Sequence, residues 1–202
     1  LDLKLAVESG ATHISWYQLT IEPNTVFFRT QPILPVDEVL EDIQELGETY
    51  LKANGFINYE VSAWRKEKPS AHNLNYWQFG DYLAIGAGAH GKVTQVDGVY
   101  RFQKTRLPKD YLAKVPAENL QFKRLEHDDM PFEFMMNALR LNNGVDASLY
   151  AERTGTDLSE IAELVASLQQ RKLMVNDPNR IACTEKGHVF LNSVLEEFLY
   201  YI

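Results

Sequence analysis

Cysteine is almost missing from this chain: of 202 residues only Cys183 carries a thiol. A lone cysteine closes no disulfide within the chain, so a reducing, cytoplasmic setting is expected. Nor can it ligate an iron–sulfur cluster by itself. CxxC and HExxH are both absent, and none of His13, His72, His90, His127 and His188 has a second His or Cys three or four residues away. A self-contained zinc site is therefore not expected. There is no run of about 18 apolar residues to span a bilayer. No basic stretch leads into an apolar core at the start, so no secretory signal is read. Positive charge is short, with a net charge of −8, which argues against a nucleic-acid or anionic-membrane surface. An initiator Met is missing too. LDLKLAVESG opens in the middle of a helical pattern with no cap residue before its apolar positions, so the chain is expected to be a fragment of a longer protein.

What remains is ordinary globular material, 45% apolar and 24% charged. Leu3, Leu5, Ala6 and Val7 lead to Gly10 and read as a helix closed by glycine. HISWYQLTI is rich in β-branched and aromatic residues and reads as a buried strand ended by Pro23. A loop with Pro32 and Pro35 follows. Val39, Leu40, Ile43, Leu46, Tyr50 and Leu51 then recur at helical spacing up to Gly55. NYEVSAW is a second strand and DYLAIGAGAHG a third candidate strand. Strand–helix–strand order predicts parallel βα units, part of an α/β barrel or open sheet. In VTQVDGVYRF, Asp-Gly between two β-rich runs predicts a hairpin. Residues 107–126, with Pro108 and Pro116, read as a connector. Beyond it the pattern turns helical: MPFEFMMNALRL, a short helix ending at Gly155, and an amphipathic helix capped by Asp157 with Glu160 three residues on. A strand–turn–strand at Asp177-Pro178-Asn179 and a last helix complete a winged-helix-like module.

Several segments carry polar groups that invite chemistry. Gly86, Gly88 and Gly91 have GxGxxG spacing, but the following KVTQVDGVY reads as β, so the helix of a dinucleotide site is missing. The glycines either admit a flat ligand to the backbone or form a tight bend. His72, Asn73, Asn75, Tyr76 and Trp77 read as a loop offering an imidazole, two amides and two aromatic faces. That set suits a heme, or it holds a turn and packs on the core. Glu22 and Glu60 lie in or after apolar strands, where a carboxylate serves a site or a salt bridge. Arg171, Lys172 and Arg180 could contact phosphate, yet the preceding helix holds Asp157, Glu160 and Glu163, which favours a packing role.

HISWYQLTIEPNT, NYEVSAW, HNLNYW and DYLAIGAGAHG together resemble the radical S-adenosylmethionine family of oxygen-independent coproporphyrinogen III oxidase-like proteins, in its heme-chaperone branch. EFMMNALRLNNGVD resembles the C-terminal domain of that family, so the resemblance covers the whole chain. It implies an α/β fold: the C-terminal half of a partial (β/α) TIM-like barrel over residues 1–106, the connector 107–126, and a small winged-helix-like α+β domain over 127–202. It implies S-adenosylmethionine and a 4Fe–4S cluster as cofactors of the full-length protein. The cluster's CxxxCxxC motif and the family's DLIxGLPxQ strand are absent from this chain, which should be inactive alone. Carried over by motif, His72, Asn73, Tyr76 and Trp77 contact heme, with His72 the iron ligand. Gln18 and Thr20, on one face by alternation, and Gly86, Ala87, Gly88 and Ala89 approach S-adenosylmethionine. The implied role is heme binding and delivery to heme-accepting proteins, without a membrane span or nucleic acid. The rival within the family is decarboxylation of coproporphyrinogen III to protoporphyrinogen IX. A winged-helix nucleic-acid-binding protein is the rival from another class.

Overall fold

The computed structural model describes residues 1–114 and 120–201. It contains two compact units, Leu1–Ser70 and Ala71–Ile202. Pro116, expected in the connector, lies outside the described residues.

In the first unit the order is α1 (Asp2–Glu8), β1 (His13–Ser15), α2 (Val26–Thr30), α3 (Asp37–Ala53), β2 (Ile57–Glu60) and β3 (Ala63–Arg65). α3 carries Asp37 and Glu38 in its first turn and Lys52 in its last, both favourable to the helix dipole. Its core residue Leu51 packs with Ile14, Phe56 and Trp64. The sheet order is β1–β3–β2, with both pairings antiparallel. The sequence order predicted neighbouring parallel strands instead. The difference has a simple cause: NYEVSAW is not one strand but a hairpin, β2 and β3 joined by Val61 and Ser62, and so short a link permits only antiparallel pairing. β1 and β2 both oppose β3, so they run in the same direction on either side of it, as a crossover through α3 requires. HISWYQLTI also stops sooner than expected. β1 ends at Ser15 because β3 offers only three residues to pair with it, and beyond it one further bond, Trp16 N–H to Ser62 C=O at 2.8 Å, continues the contact.

The second unit runs α4 (Ala71–Trp77), β4 (His90–Gln95), β5 (Gly98–Lys104), α5 (Pro108–Ala113), β6 (Leu120–Arg124), α6 (Met130–Ala138), β7 (Val145–Asp146), α7 (Ser148–Thr154), a 3₁₀ turn Leu158–Ile161, α8 (Ala162–Gln170), β8 (Arg180–Ile181), α9 (Glu185–Val189) and α10 (Leu191–Leu199). β4, β5 and β6 form an antiparallel meander, with the expected hairpin turning at Val96–Asp97. Residues 107–126 are thus more than a connector: they supply α5 and the third strand of this sheet. DYLAIGAGAHG is not one strand. Tyr82 bridges to Lys92, Gly86 to Ala89 form a turn, and only His90 and Gly91 enter β4. HNLNYW is a helix rather than a loop, since residues 71–77 hold no glycine or proline and the His72–Tyr76 ring pair at i,i+4 supports helical geometry.

Phe134, Met135, Ala138 and Leu139 of and beside α6 are fully buried, with Tyr150, Leu168, Val194 and Phe198 around them. α10 packs on α6 and α8. The Asp157 cap is as expected: its carboxylate accepts from Ser159 N–H at 2.8 Å and Glu160 accepts from Asp157 N–H at 3.1 Å. Gly155 ends α7 at φ 73°. The wing differs. β8 pairs with β7, and the expected partner segment contributes one bridge, Met174 to Cys183. The last helix is broken at Phe190 into α9 and α10.

The β7–β8 pair depends on Gly144. At φ 63°, a Cβ there would sit 2.0 Å from Ile181 O and 2.5 Å from Ala182 Cβ. Backbone cannot give way as a flexible side chain would. Gly144→Ala is expected to cost about 2–4 kcal/mol, read as a lower urea midpoint at unchanged slope.

Candidate functional site

The helix α4 decides how HNLNYW presents its groups. Its 3.6-residue period places His72 and Tyr76 on one strip and Asn73 and Trp77 on the next. His72 is exposed, and its imidazole meets the Tyr76 ring edge-on, centroids 4.7 Å apart at 72°. Tyr76 in turn lies 4.3 Å from the Tyr82 ring. The Tyr82 hydroxyl accepts from Arg101 Nη1 at 2.6 Å, and Arg101 Nε donates to Glu133 Oε2 at 3.1 Å. Burial pushes the Tyr82 phenol pKa above its ordinary value, partly opposed by the Arg101 charge. A line of contacts therefore runs from the exposed imidazole to an arginine–glutamate pair between sheet and α6. Asn73 is half-buried. Trp77 turns away from this line, with the Arg140 guanidinium 4.4 Å above its ring. Among the described residues its buried Nε1–H finds no hydrogen-bond partner, at a cost of about 1–3 kcal/mol.

α4 ends in a Schellman motif, with Phe79 N–H to Tyr76 C=O at 3.0 Å and Gly80 N–H to Asn75 C=O at 2.7 Å. The left-handed position usually filled by glycine is Phe79, at φ 55°. That costs about 1–2 kcal/mol, offset by burying the ring against Phe134, 5.7 Å away. Gly80 follows because a Cβ there would lie 2.2 Å from Asn75 Oδ1. Asp81 then straps this turn to β4. It accepts from Lys92 Nζ at 2.9 Å and from Thr94 N–H and Oγ, both at 2.8 Å. Lys92 is 1% exposed and also lies 4.2 Å over the Phe79 ring. Partial burial raises the Asp81 carboxyl pKa, but the Lys92 and Thr94 hydrogen bonds outweigh it and hold the group below the usual carboxylate range. Burial pushes the Lys92 ammonium down.

The groups expected to meet S-adenosylmethionine fall in two units. Gln18 and Thr20 are exposed, on the irregular segment after β1, so their strand alternation is lost. Gly86 to Ala89 lie in the turn before β4. Gly86 (φ 100°) and Gly88 (φ 71°) need glycine for the backbone, and the space where a Gly86 Cβ would project is open. The backbone there is accessible to a flat group. The cluster does not fit this chain. Cys183 is buried, and desolvation raises its thiol to about 12, so it supplies no thiolate. Among the described residues no group of three or more His, Cys, Asp or Glu is placed to hold a metal ion. Heme does fit: α4 offers an exposed imidazole with an aromatic ring beside it, the donor type that binds heme iron.

Other expectations are more plainly placed. Glu60 is 1% exposed and accepts from Ser62 N–H and Oγ, each at 3.1 Å. Arg171 forks onto Glu197 at 2.7 and 2.8 Å, tying the end of α8 to α10. Arg180 lies in β8 opposite Asp146. Asp81, Tyr82, Lys92, Arg101 and Glu133 were not singled out by sequence. The signal was present for two of them: the hairpin register puts Lys92 opposite Arg101, and alternation puts Thr94 on the same face of β4 as Lys92.

Comparison with known proteins decides the family. The HemN C-terminal domain profile matches residues 125–190. The heme chaperone HemW of Haemophilus influenzae is 45% identical over 201 residues, covering 98% of this chain and 52% of that protein. HemW of Escherichia coli is 43% identical with the same coverage. Residues 125–190 belong to the HemN C-terminal domain family, and the chain as a whole is similar to HemW heme chaperones. It spans about half the length of the curated relatives it matches and corresponds to their C-terminal portion. A solved structure described as the Escherichia coli coproporphyrinogen III oxidase HemN, a radical SAM enzyme, superposes with a TM-score of 0.70 over 99% of this chain and 50% of its own, at 18% identity. That likeness bears on fold alone, and supports the mixed α/β, partial radical SAM architecture implied by the sequence motifs. Among the described residues no helix is long and apolar enough to cross a membrane.

The strap under α4 is testable. Asp81→Asn leaves Lys92 charged and buried with its carboxylate gone. The expected loss at pH 7 is about 2 kcal/mol, less than the roughly 3–5 for a fully buried pair because Asp81 is partly exposed. Since the folded Asp81 pKa lies below its unfolded value, its contribution is present above the unfolded pKa and vanishes as pH falls through the folded one. Urea titrations of wild type and Asp81→Asn should therefore converge in acid.

Proposed function

We propose that the chain is the heme-carrying part of a heme chaperone, with His72 on α4 as iron ligand and Tyr76 beside the bound heme. The observation that carries this reading is an exposed imidazole within a family whose relatives, at 45% and 43% identity, are named heme chaperone HemW. The exposed position suits transfer: a ligand at the surface of a helix can be released to an acceptor protein without opening a core. The chain's residues have modest parts in this. His72 supplies the nitrogen donor. Tyr76 restricts the imidazole by an edge-on contact, and Asn73 lies on the adjacent strip. Trp77, packed under Arg140, holds α4 to α6. Heme itself is the cargo.

Radical SAM relatives use S-adenosylmethionine and a 4Fe–4S cluster, and the same is proposed for the intact protein. S-adenosylmethionine held at such a cluster supplies radical chemistry. Gln18 and Thr20 of the first unit are proposed as contacts to S-adenosylmethionine, and so, taken separately, is the backbone at Gly86 to Ala89 of the second, with the cluster ligands contributed from elsewhere. The proposed partners are heme and heme-accepting proteins.

Titration of heme into the intact protein, followed in the Soret band, tests this. His72→Ala should lose the shifted band and bind heme at least about tenfold more weakly, near 1.4 kcal/mol, while stability stays within about 0.5 kcal/mol because the side chain is exposed. An unchanged spectrum and affinity would remove His72 as ligand. Turnover of coproporphyrinogen III to protoporphyrinogen IX by the cluster-loaded protein would replace the chaperone reading with the oxidase one.

A further inference from the structure

Strand register puts three cations in one row across the meander. Lys92 opposes Arg101, and Arg101 opposes Lys123. Directly opposed side chains lie on the same face, and like charges so placed are destabilising. The next row on that face is His90, Gln103 and Gln121, with Gln103 Nε2 donating to Gln121 Oε1 at 2.8 Å. A cavity of about 530 Å³ lies over these rows, closed on the other side by Glu133 and Met136 of α6. This is within the size range of small-molecule sites, roughly 300–1,000 Å³.

The three cations are held differently. Lys92 is buried with Asp81 and is the row's fixed inner end. Arg101 lines the cavity with its fork held by Glu133 and the Tyr82 hydroxyl. A guanidinium has five N–H donors, so this grip orients the group and still leaves donors for a ligand. Lys123 lines the same cavity and is loosely paired, 3.6 Å from Asp129 with its side chain 73% exposed. Such a surface pair is worth about 0–1 kcal/mol, so a ligand carboxylate displaces Asp129 at little cost. Gln121 retains both amide hydrogens for an acceptor. Rigid guanidinium, mobile ammonium and amide donors in one recess form a receptor for carboxylates.

We propose that this recess binds the propionate carboxylates of a tetrapyrrole, with Arg101 and Lys123 as the charged contacts and the Gln103–Gln121 pair as the neutral ones. The inference rests on the heme reading above and deepens it. The recess joins the proposed iron-ligand helix through Arg101, the Tyr82 hydroxyl and the tilted, touching Tyr82 and Tyr76 rings beside His72. Occupancy of the recess and orientation of the imidazole are thereby linked by direct contacts.

The test compares heme with its dimethyl ester, in which both propionates are masked, on the intact protein and on Lys123→Gln, Arg101→Gln and His72→Ala. The wild type should bind heme about tenfold tighter than the diester. Lys123→Gln and Arg101→Gln should each weaken heme about five- to tenfold, leave diester affinity unchanged, and keep the Soret position, since His72 remains. Arg101→Gln also loses the grip on Tyr82 and Glu133; if it fails to fold, the exposed Lys123→Gln carries the test alone. Equal affinity of the wild type for heme and diester, or full free-acid preference in Lys123→Gln, overturns the recess. If His72→Ala alone abolishes the Soret shift under those outcomes, the heme reading stands without it. Absence of any Soret change with the wild type overturns both.

Discussion

The buried Lys92 ammonium constrains everything around α4. A charge in that position must be matched, and Asp81 is the residue that matches it. To reach Lys92, Asp81 must follow α4 at once, which forces the helix to end in a tight left-handed turn. Phe79 takes that turn and Gly80 completes it. The aromatic ring that fills the left-handed position is the same ring over which the ammonium sits. One ion pair thus sets the length of α4, the direction in which the chain leaves it and the anchoring of β4. The exposed strip with His72 and Tyr76 is fixed as a consequence.

Seen this way, the site has a rigid underside and an open upper side. Below are Lys92, Phe79, Phe134 and the Trp77–Arg140 stack. Above is the exposed imidazole, in T-shaped contact with the Tyr76 ring. The proposed heme-chaperone role would use both: a firm scaffold to hold geometry and an accessible imidazole for release. The Tyr76–Tyr82–Arg101–Glu133 line carries the same logic sideways, from the helix to the sheet. Its members come from α4, the bridge at Tyr82, β5 and α6, so the arrangement exists only when the second unit is folded.

Much of this was legible in the sequence, and the reasons for the rest are physical. The helices closed by Gly10, Gly55 and Gly155 and the Asp157–Glu160 cap were readable because their signals are local. The Asp-Gly hairpin was readable for the same reason. The family was readable because HNLNYW, DYLAIGAGAHG and EFMMNALRLNNGVD are long and occur in order. Strand extents were not, since pairing belongs to the partner as much as to the segment: HISWYQLTI has strand composition to Ile21, but β3 is too short to pair with it. HNLNYW was misread as a loop because its asparagines suggest turns, while its helical support comes from the His72–Tyr76 pair and from packing on α6. Lys92 and Arg101 could be flagged by alternation, but only the fold shows that one is buried and the other held beside a cavity.

The central claim is that the His72 imidazole binds heme iron. The most direct measurement is pulsed electron paramagnetic resonance of ferric heme bound to the intact protein, prepared with ¹⁵N-histidine. The account predicts an imidazole ¹⁵N coupling to the iron that disappears in His72→Ala. A coupling that persists in that variant, or no histidine coupling in the wild type, would contradict it.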